Sequence, residues 1–274
     1  MFGPHDGRRV QVPPYRRMMG FLMRGRNESA VYFEQKLDLS RTQVWLKERN
    51  GRLFHLILHA LAATLHDRER LNRFTVGRRT YQRDGVYLSF AAKKAMADDA
   101  PLATVKRRFE KGESFTALET ALGGEITEAK SDKKSHIDKE LSILLALPGF
   151  LLAFLIGAMK RLYAWGLAPR SLVDTDPMYA SAFVANLGSI KIDAAYHHLY
   201  EHGNCPLFVT IGQVTETPAV VDGQLVSRPT LTLRYSFDER VEDGLYAARS
   251  LKLLAERVED PASWIDETRA RDVA

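Results

Sequence analysis

Alternation of apolar and polar positions is cleanest near the C-terminus. From Pro229 to Phe237, Leu231, Leu233, Tyr235 and Phe237 fall on one side and Thr230, Thr232, Arg234 and Ser236 on the other. That period of two predicts a strand with one buried face. The preceding Pro218–Val226 places Asp222-Gly223 between two strand-like runs. It predicts a hairpin with a type I′ turn, since Asp and Gly tolerate the positive φ angles that turn needs. Leu207–Gly212 is a continuous apolar run suited to a buried strand. After residue 243 the period changes. Ala247, Ala248, Leu251, Leu254, Ala255 and Val258 predict a helix starting at Gly244, capped by Asp243 and ended by Glu259-Asp260-Pro261.

The first half patterns less sharply. Residues 1–14 read as an extended arm rich in Gly and Pro, and Arg16–Met23 as a short amphipathic helix. Ser29–Leu39 reads as a strand through Val31, Phe33, Leu37 and Leu39. Ser40 is placed as the N-cap of a helix containing Val44 and Leu46. Leu53–Leu71 has Phe54, Ile57, Leu58, Leu61 and Leu65 at helical spacing. An Asp84-Gly85 turn leads into a strand in which Val86, Leu88 and Phe90 alternate with Tyr87, Ser89 and Ala91. A helix rich in both charges is expected from about Leu102 to Ala121, and Glu125–His136 reads as a loop or helix end. Leu141–Met159 contains no charged residue and is flanked by Lys139-Glu140 and Lys160-Arg161. At ~1.5 Å per residue a helix of that length nearly crosses a ~30 Å hydrocarbon core. Pro148-Gly149 is expected to interrupt it.

Composition bounds the rest. At 274 residues the chain can bury one large core or two small ones. The net charge of +5 favours an anionic ligand or an anionic surface. No basic-aromatic pattern of a nucleic-acid motif is present, so nucleic acid is not expected as a partner. Cys205 is the single cysteine, which excludes an intrachain disulfide and any zinc-finger spacing. Together with an N-terminus lacking a basic start and apolar core, this reads as a cytoplasmic chain. His55, His59 and His66 share a helix face at two-ligand spacing, but without an HExxH or an evident carboxylate they read as packing histidines. No metal is expected.

Ser236–Gly244 reads Ser-Phe-Asp-Glu-Arg-Val-Glu-Asp-Gly. It resembles the Ser-Tyr-Asp-His-Arg-x-x-Asp-Gly signature of the dihydrolipoamide acyltransferases, core subunits of the 2-oxo acid dehydrogenase complexes. Asp238, Arg240, Asp243 and Gly244 match. Ser181–Ser189 is similar to the family's Thr-Phe-Thr-Ile-Ser-Asn-Leu-Gly, and Leu207–Gly212 to its next strand. The ordered set runs from Ser181 to Pro261. The first half agrees only locally, at Asn72-Arg73-Phe74 through Lys93. The resemblance implies an α/β CoA-dependent acyltransferase (chloramphenicol acetyltransferase-like) fold, a mixed sheet covered by helices. It implies a domain over 29–261 with an N-terminal arm at 1–28; the apolar segment at about 137–172, read as an insertion, and the tail at 262–274 depart from the family. It also implies a homotrimer with sites between subunits, and CoA or acyl-CoA as ligand. The chain looks stand-alone, with no lipoyl domain. One domain built from both halves argues against a membrane span through 141–159. A buried helix, or helices lying in a membrane interface over 141–165 with Lys160, Arg161, Tyr163 and Trp165 at headgroup level, both stay open.

In the family a histidine deprotonates a thiol and a serine hydroxyl stabilises the oxyanion. A base of pKa ~6.5 suits a thiol of pKa ~8.5. Carried over residue by residue, the histidine position is Glu239 and the serine position is Ala185, just before Asn186. Losing an oxyanion donor costs about 10²–10³ in rate, and a positioned base supplies about 10²–10⁴. Arg240 and Asp243, with Gly244, are expected to hold the loop and to pair with each other. His197 and His198 are candidate substitutes for the lost base. Three readings follow: a degenerate acyltransferase-like pseudoenzyme that still binds an acyl thioester, a non-catalytic scaffold at a membrane surface, or an active acyltransferase of changed specificity using Glu239.

Overall fold

The computed structural model describes residues 3–93, 102–130 and 146–265. Its frame is a mixed sheet of six strands in the order β2-β9-β8-β7-β5-β6. These are β2 (Ala30–Asp38), β5 (Val86–Lys93), β6 (Leu102–Phe109), β7 (Ala182–Asn186), β8 (Leu207–Val221) and β9 (Gln224–Asp238). The β5–β7 and β7–β8 pairings are parallel and the others antiparallel. This is the expected mixed sheet covered by helices.

Period-two alternation decides which face each residue takes. Leu37, Leu88, Val184, Val209, Leu233 and Tyr235 point into one core. Against them pack α2 (Ser40–Arg49), α3 (Leu53–Asp67), α4 (Phe115–Lys130) and α7 (Gly244–Glu259). Helix α3 is buried along nearly its whole length, with Leu56, Ile57, Leu58 and Leu61 fully enclosed. Each such side chain contributes about 1.5–3 kcal/mol relative to exposure. Trp264 and Ile265, placed in the tail by sequence, pack against this core as well.

A second sheet of three strands, β1-β4-β3, sits beside the first. Strand β1 (Gly7–Arg9) belongs to the N-terminal arm and pairs with β4 (Arg79–Arg83), which pairs with β3 (Arg73–Val76). Helix α1 (Pro14–Leu22) follows β1, with Pro14 at its first position, where a missing N–H costs nothing. Phe74 and Tyr81 of this sheet cluster with Tyr163 of α5 (Gly149–Trp165), Val173 of α6 (Arg170–Thr175) and Tyr179. Asp6 fastens the arm: it accepts from Arg83 at 3.0 Å, Asn204 at 2.8 Å and the Tyr163 hydroxyl at 2.8 Å.

The β8–β9 hairpin turns at Asp222-Gly223, with φ of 50° and 78°, as the type I′ expectation requires. It runs much further than Pro218–Val226, since each strand has 15 residues. Other expectations are corrected. Leu102–Phe109 is a strand, not the start of a charged helix, and α4 begins at Phe115 and continues through Lys130. The run Lys106-Arg107-Arg108 hid the alternation. Val105 and Phe109 face the core, and Arg107 between them is paired with Glu113 and, at 3.1 Å, with Glu125. Ser40 is the first helical residue, not the cap, and both its N–H (2.8 Å) and its hydroxyl donate to Asp38. The helix predicted over Leu53–Leu71 ends at Asp67 and tightens into a 3₁₀ turn at Glu69–Asn72. Pro148 caps α5, which starts at Gly149; residues 141–145 of the apolar run lie outside the described residues, so the part of the expected helix before Pro148 is not described. Helix α5 is not buried: Phe150 is 79% and Phe154 69% exposed. Among the described residues no helix is long and apolar enough to cross a membrane.

Candidate active site

Strand β9 ends by delivering Asp238 into a buried pocket of donors. Its carboxylate accepts from the Ser29 hydroxyl at 2.9 Å and the Thr75 hydroxyl at 3.3 Å. It also accepts from Arg240, through the backbone N–H at 3.1 Å, Nε at 2.8 Å and Nη2 at 2.7 Å. Arg240 in turn donates from Nη1 to the Arg24 carbonyl at 3.1 Å and the Met23 carbonyl at 3.4 Å. Both side chains are buried. Burial disfavours the guanidinium charge, but the bonds to Asp238 outweigh it and hold the Arg240 pKa above its ordinary value. A buried ion pair is tolerated when its remaining bonds are satisfied in this way. The expected Arg240–Asp243 pair does not form, because Asp238, two residues away, takes the guanidinium. Asp243 instead caps α7, accepting the Tyr246 N–H at 2.8 Å. That bond keeps its carboxyl below the ordinary range. Gly244 opens the helix, as expected.

Glu239 is fixed by its backbone. Its N–H donates to the Ser29 carbonyl at 3.0 Å and its carbonyl accepts from Arg16 Nη1 at 2.6 Å. Its side chain is half-buried, and its carboxylate has no hydrogen-bond or ion-pair partner among the described residues. Glu242, which the sequence did not single out, is buried and paired with Arg73 at 3.1 Å and Arg70 at 3.4 Å. Arg16, Ser29, Thr75 and Glu242 form the lining of the loop. None was legible as such, because their partners at the loop lie 163 to 223 positions away in the sequence.

Ala185 lies on β7 and pairs with Thr210 of β8, which pairs with Arg234 of β9. Its methyl offers no donor. The Thr210 hydroxyl, level with it, donates to the Ala195 carbonyl at 2.6 Å. Asn186 accepts the Ser189 N–H at 3.2 Å and so starts the short turn Leu187–Ile190. Gly188 is required there, since a Cβ would come within 2.2 Å of the Gly212 carbonyl oxygen. Glu239 lies five residues beyond Arg234, about 16 Å along the strand. Within one chain the structure does not bring Ala185 and Glu239 together.

His197 and His198 lie in the segment that crosses the sheet face opposite the core. The His197 ring stacks on Phe208 with centroids 3.9 Å apart and on His198 at 4.7 Å. The Ser236 hydroxyl bonds the His197 carbonyl. Phe208 pairs with Ser236, three residues before Glu239, so the histidines lie over the strand pair that leads to the loop. The α3 histidines find separate partners. His55 Nδ1 lies 3.4 Å from Glu119, a carboxylate the sequence did not reveal; His59 Nε2 lies 3.0 Å from the Glu113 carbonyl and His66 Nε2 2.9 Å from the Phe109 carbonyl. Among the described residues no three potential metal ligands converge.

Residues 171–265 match the family model of the 2-oxoacid dehydrogenases acyltransferase catalytic domain. A probable dihydrolipoyllysine-residue succinyltransferase component of the 2-oxoglutarate dehydrogenase complex of Schizosaccharomyces pombe is 38% identical over 64 residues. That match covers 23% of this chain and 14% of the relative, so the chain aligns with only a small part of its length. The cubic core of the pyruvate dehydrogenase multienzyme complex superimposes with a TM-score of 0.59 at 17% identity, covering 93% of both chains. A chloramphenicol acetyltransferase superimposes at 0.53 with 12% identity, covering 93% of this chain and 98% of the other. The chain therefore carries the acyltransferase fold of the 2-oxoacid dehydrogenase complexes, with its sequence likeness concentrated in residues 171–265.

Proposed function

We propose that this protein binds an acyl thioester, of CoA or a CoA-like carrier, on an acyltransferase frame that no longer performs the family's transfer efficiently. The observation that carries the reading is the contrast between the signature loop's framework and the two chemical positions. Asp238, Arg240 and Asp243 are fully engaged in holding its shape, while the two chemical positions hold a carboxylate and a methyl group. A carboxylate is a weaker base than an imidazole toward a thiol, and its charge opposes the forming thiolate. The separation of Ala185 from Glu239 within one chain supports a homotrimer, in which the Glu239 of one subunit meets the Ala185 turn of the next.

The test is acetyl transfer from acetyl-CoA to dihydrolipoamide, by the wild type and by Glu239→His/Ala185→Ser. A silent wild type beside an active double variant is the expected result. Turnover by the wild type well above background, lost in Glu239→Gln without loss of fold, would replace this reading with an active acyltransferase using Glu239.

The exposed Phe150, Phe154 and Ile156 of α5 favour a second reading, attachment to a membrane surface. Binding to anionic liposomes that disappears when these three become serine would support it. Equal binding by both proteins would remove α5 as the contact.

A further inference from the structure

Between α1 and the β3–β4 hairpin lies a cavity of about 260 Å³ whose walls carry six arginines and no carboxylate: Arg9, Arg16, Arg17, Arg78, Arg79 and Arg240. The fold brings them together by close approach. Gly20 of α1 sits against Arg78, where a Cβ would come within 3.3 Å of its Cα. The hairpin turns at Gly77 with φ of 59°, which places Arg78 and Arg79 beside the helix. Among the described residues only Arg240 of the six has a carboxylate within ion-pair distance. Arg16 feels the charge of Asp243 without contacting it.

Arg16 is the decisive group. It is only 7% exposed, and Nη1 is spent on the Glu239 carbonyl. Its Nε is buried with no hydrogen-bond partner. A buried unsatisfied donor is costly, and in a native protein it calls for a partner with an acceptor. Placing it among like charges raises the demand for an anion.

We propose that this cavity is a binding site for a compact phosphate-bearing anion, a phosphate monoester or a diphosphate. Arginine's planar fork suits phosphate oxygens. The volume is below the roughly 300–1,000 Å³ of pockets that enclose drug-sized ligands, so the phosphate group is held and the rest of any larger ligand stays outside. A second cavity of about 210 Å³ shares Thr75, Gly77 and Arg240 and gives such a remainder room. The site does not depend on the acyl-thioester reading. Because Arg16 also holds the Glu239 carbonyl, an anion in the cavity is linked to the signature loop.

Isothermal titration of the full chain with inorganic pyrophosphate tests it at fixed ionic strength. Saturable binding is expected, weakened at least tenfold in Arg17→Ala/Arg79→Ala, whose side chains are exposed; an unchanged circular dichroism spectrum of the variant checks its fold. Slower amide exchange of residues 238–243 on addition of pyrophosphate is the second expected result. Competition by CoA but not by pantetheine would assign the phosphate to CoA, and no competition by CoA would assign it to a separate phosphate ligand; either supports the site. Unsaturable heat, or equal affinity in wild type and variant, would overturn it. These results are independent of whether acetyl transfer is detected.

Discussion

The two faces of the six-stranded sheet are held by different physics. One face is sealed by α3 and α7 through apolar packing, with Leu88, Val184, Val209 and Leu233 essentially inaccessible. The other is covered in large part by a strap of chain, residues 191–206, which joins a small apolar cluster of Leu199 and Cys205 on Phe183 and Phe208 to a set of polar bonds. Thr210 holds the Ala195 carbonyl, Arg234 the Ala194 carbonyl and Ser236 the His197 carbonyl. Apolar packing tolerates little change in volume, whereas a hydrogen-bonded strap can be re-sequenced while the sheet stands. Ala185, His197 and His198 lie on or under the strap, and Glu239 lies just past the strand end. The residues that specify the fold and those that would decide chemistry are therefore largely separate sets. Under the proposed function, this separation is what would let the frame persist with other residues at the chemical positions.

The comparison can be broken hardest where the two sets meet, at Asp238. Asp238→Asn leaves Arg240 buried without its counter-charge and is expected to cost about 3–5 kcal/mol in urea denaturation. Leu233→Ala, on the sealed face, should cost about 2–5 kcal/mol by the same measurement. Ser236→Ala, on the strap face, should cost about 1 kcal/mol. A cost for Ser236→Ala equal to that for Leu233→Ala would mean that the strap face is as rigidly specified as the core.

A pH series sharpens the contrast further. Burial pushes His59 below the ordinary imidazole value of 6.5. His55 is also lowered by burial, despite the opposing pull of Glu119. Between each folded value and 6.5 the unfolded chain binds more protons, so stability is full above pH 6.5 and falls as pH drops below it. Tm should decline from pH 7 to pH 5, and His59→Gln should flatten part of that decline. An unchanged slope would place the pH dependence elsewhere. The smallest effect is expected at Tyr32, on the strap side of the edge strand β2 and 48% exposed. Tyr32→Ser should change monomer stability by about 0.5 kcal/mol or less, read from the same urea curves.

Legibility in the sequence followed the same division. The stretch from β9 through α7 reads directly, because strict alternation, an Asp-Gly turn, an Asp cap and a terminal Pro all agree. Strand β6 did not read, since its edge position admits Lys106 and Arg108 on the outward side and an ion-paired Arg107 inward. The exposure of α5 was hidden too, because an apolar run has the same letters whether it is enclosed or bare. At the site, Glu239 and Ala185 were singled out only by the family resemblance. The arginine cavity and the Arg240 bonds to the Met23 and Arg24 carbonyls were not legible, because both depend on an N-terminal segment folding back across the chain.

The β8–β9 hairpin has one more consequence. Beyond Ile211 on one strand and before Thr230 on the other, neither pairs with a third strand among the described residues, and Val220 opposite Leu225 near the tip is largely exposed. A two-stranded ribbon lacks the support that makes sheets cooperative. It should behave as a zipper whose opening is a local event with its own clock. Amide exchange would be fastest around Asp222-Gly223 and slow steadily toward Ile211, without waiting for the domain to unfold. A peptide spliced in at the turn would then be displayed on a stalk some 16 Å or so long, with little effect on Tm.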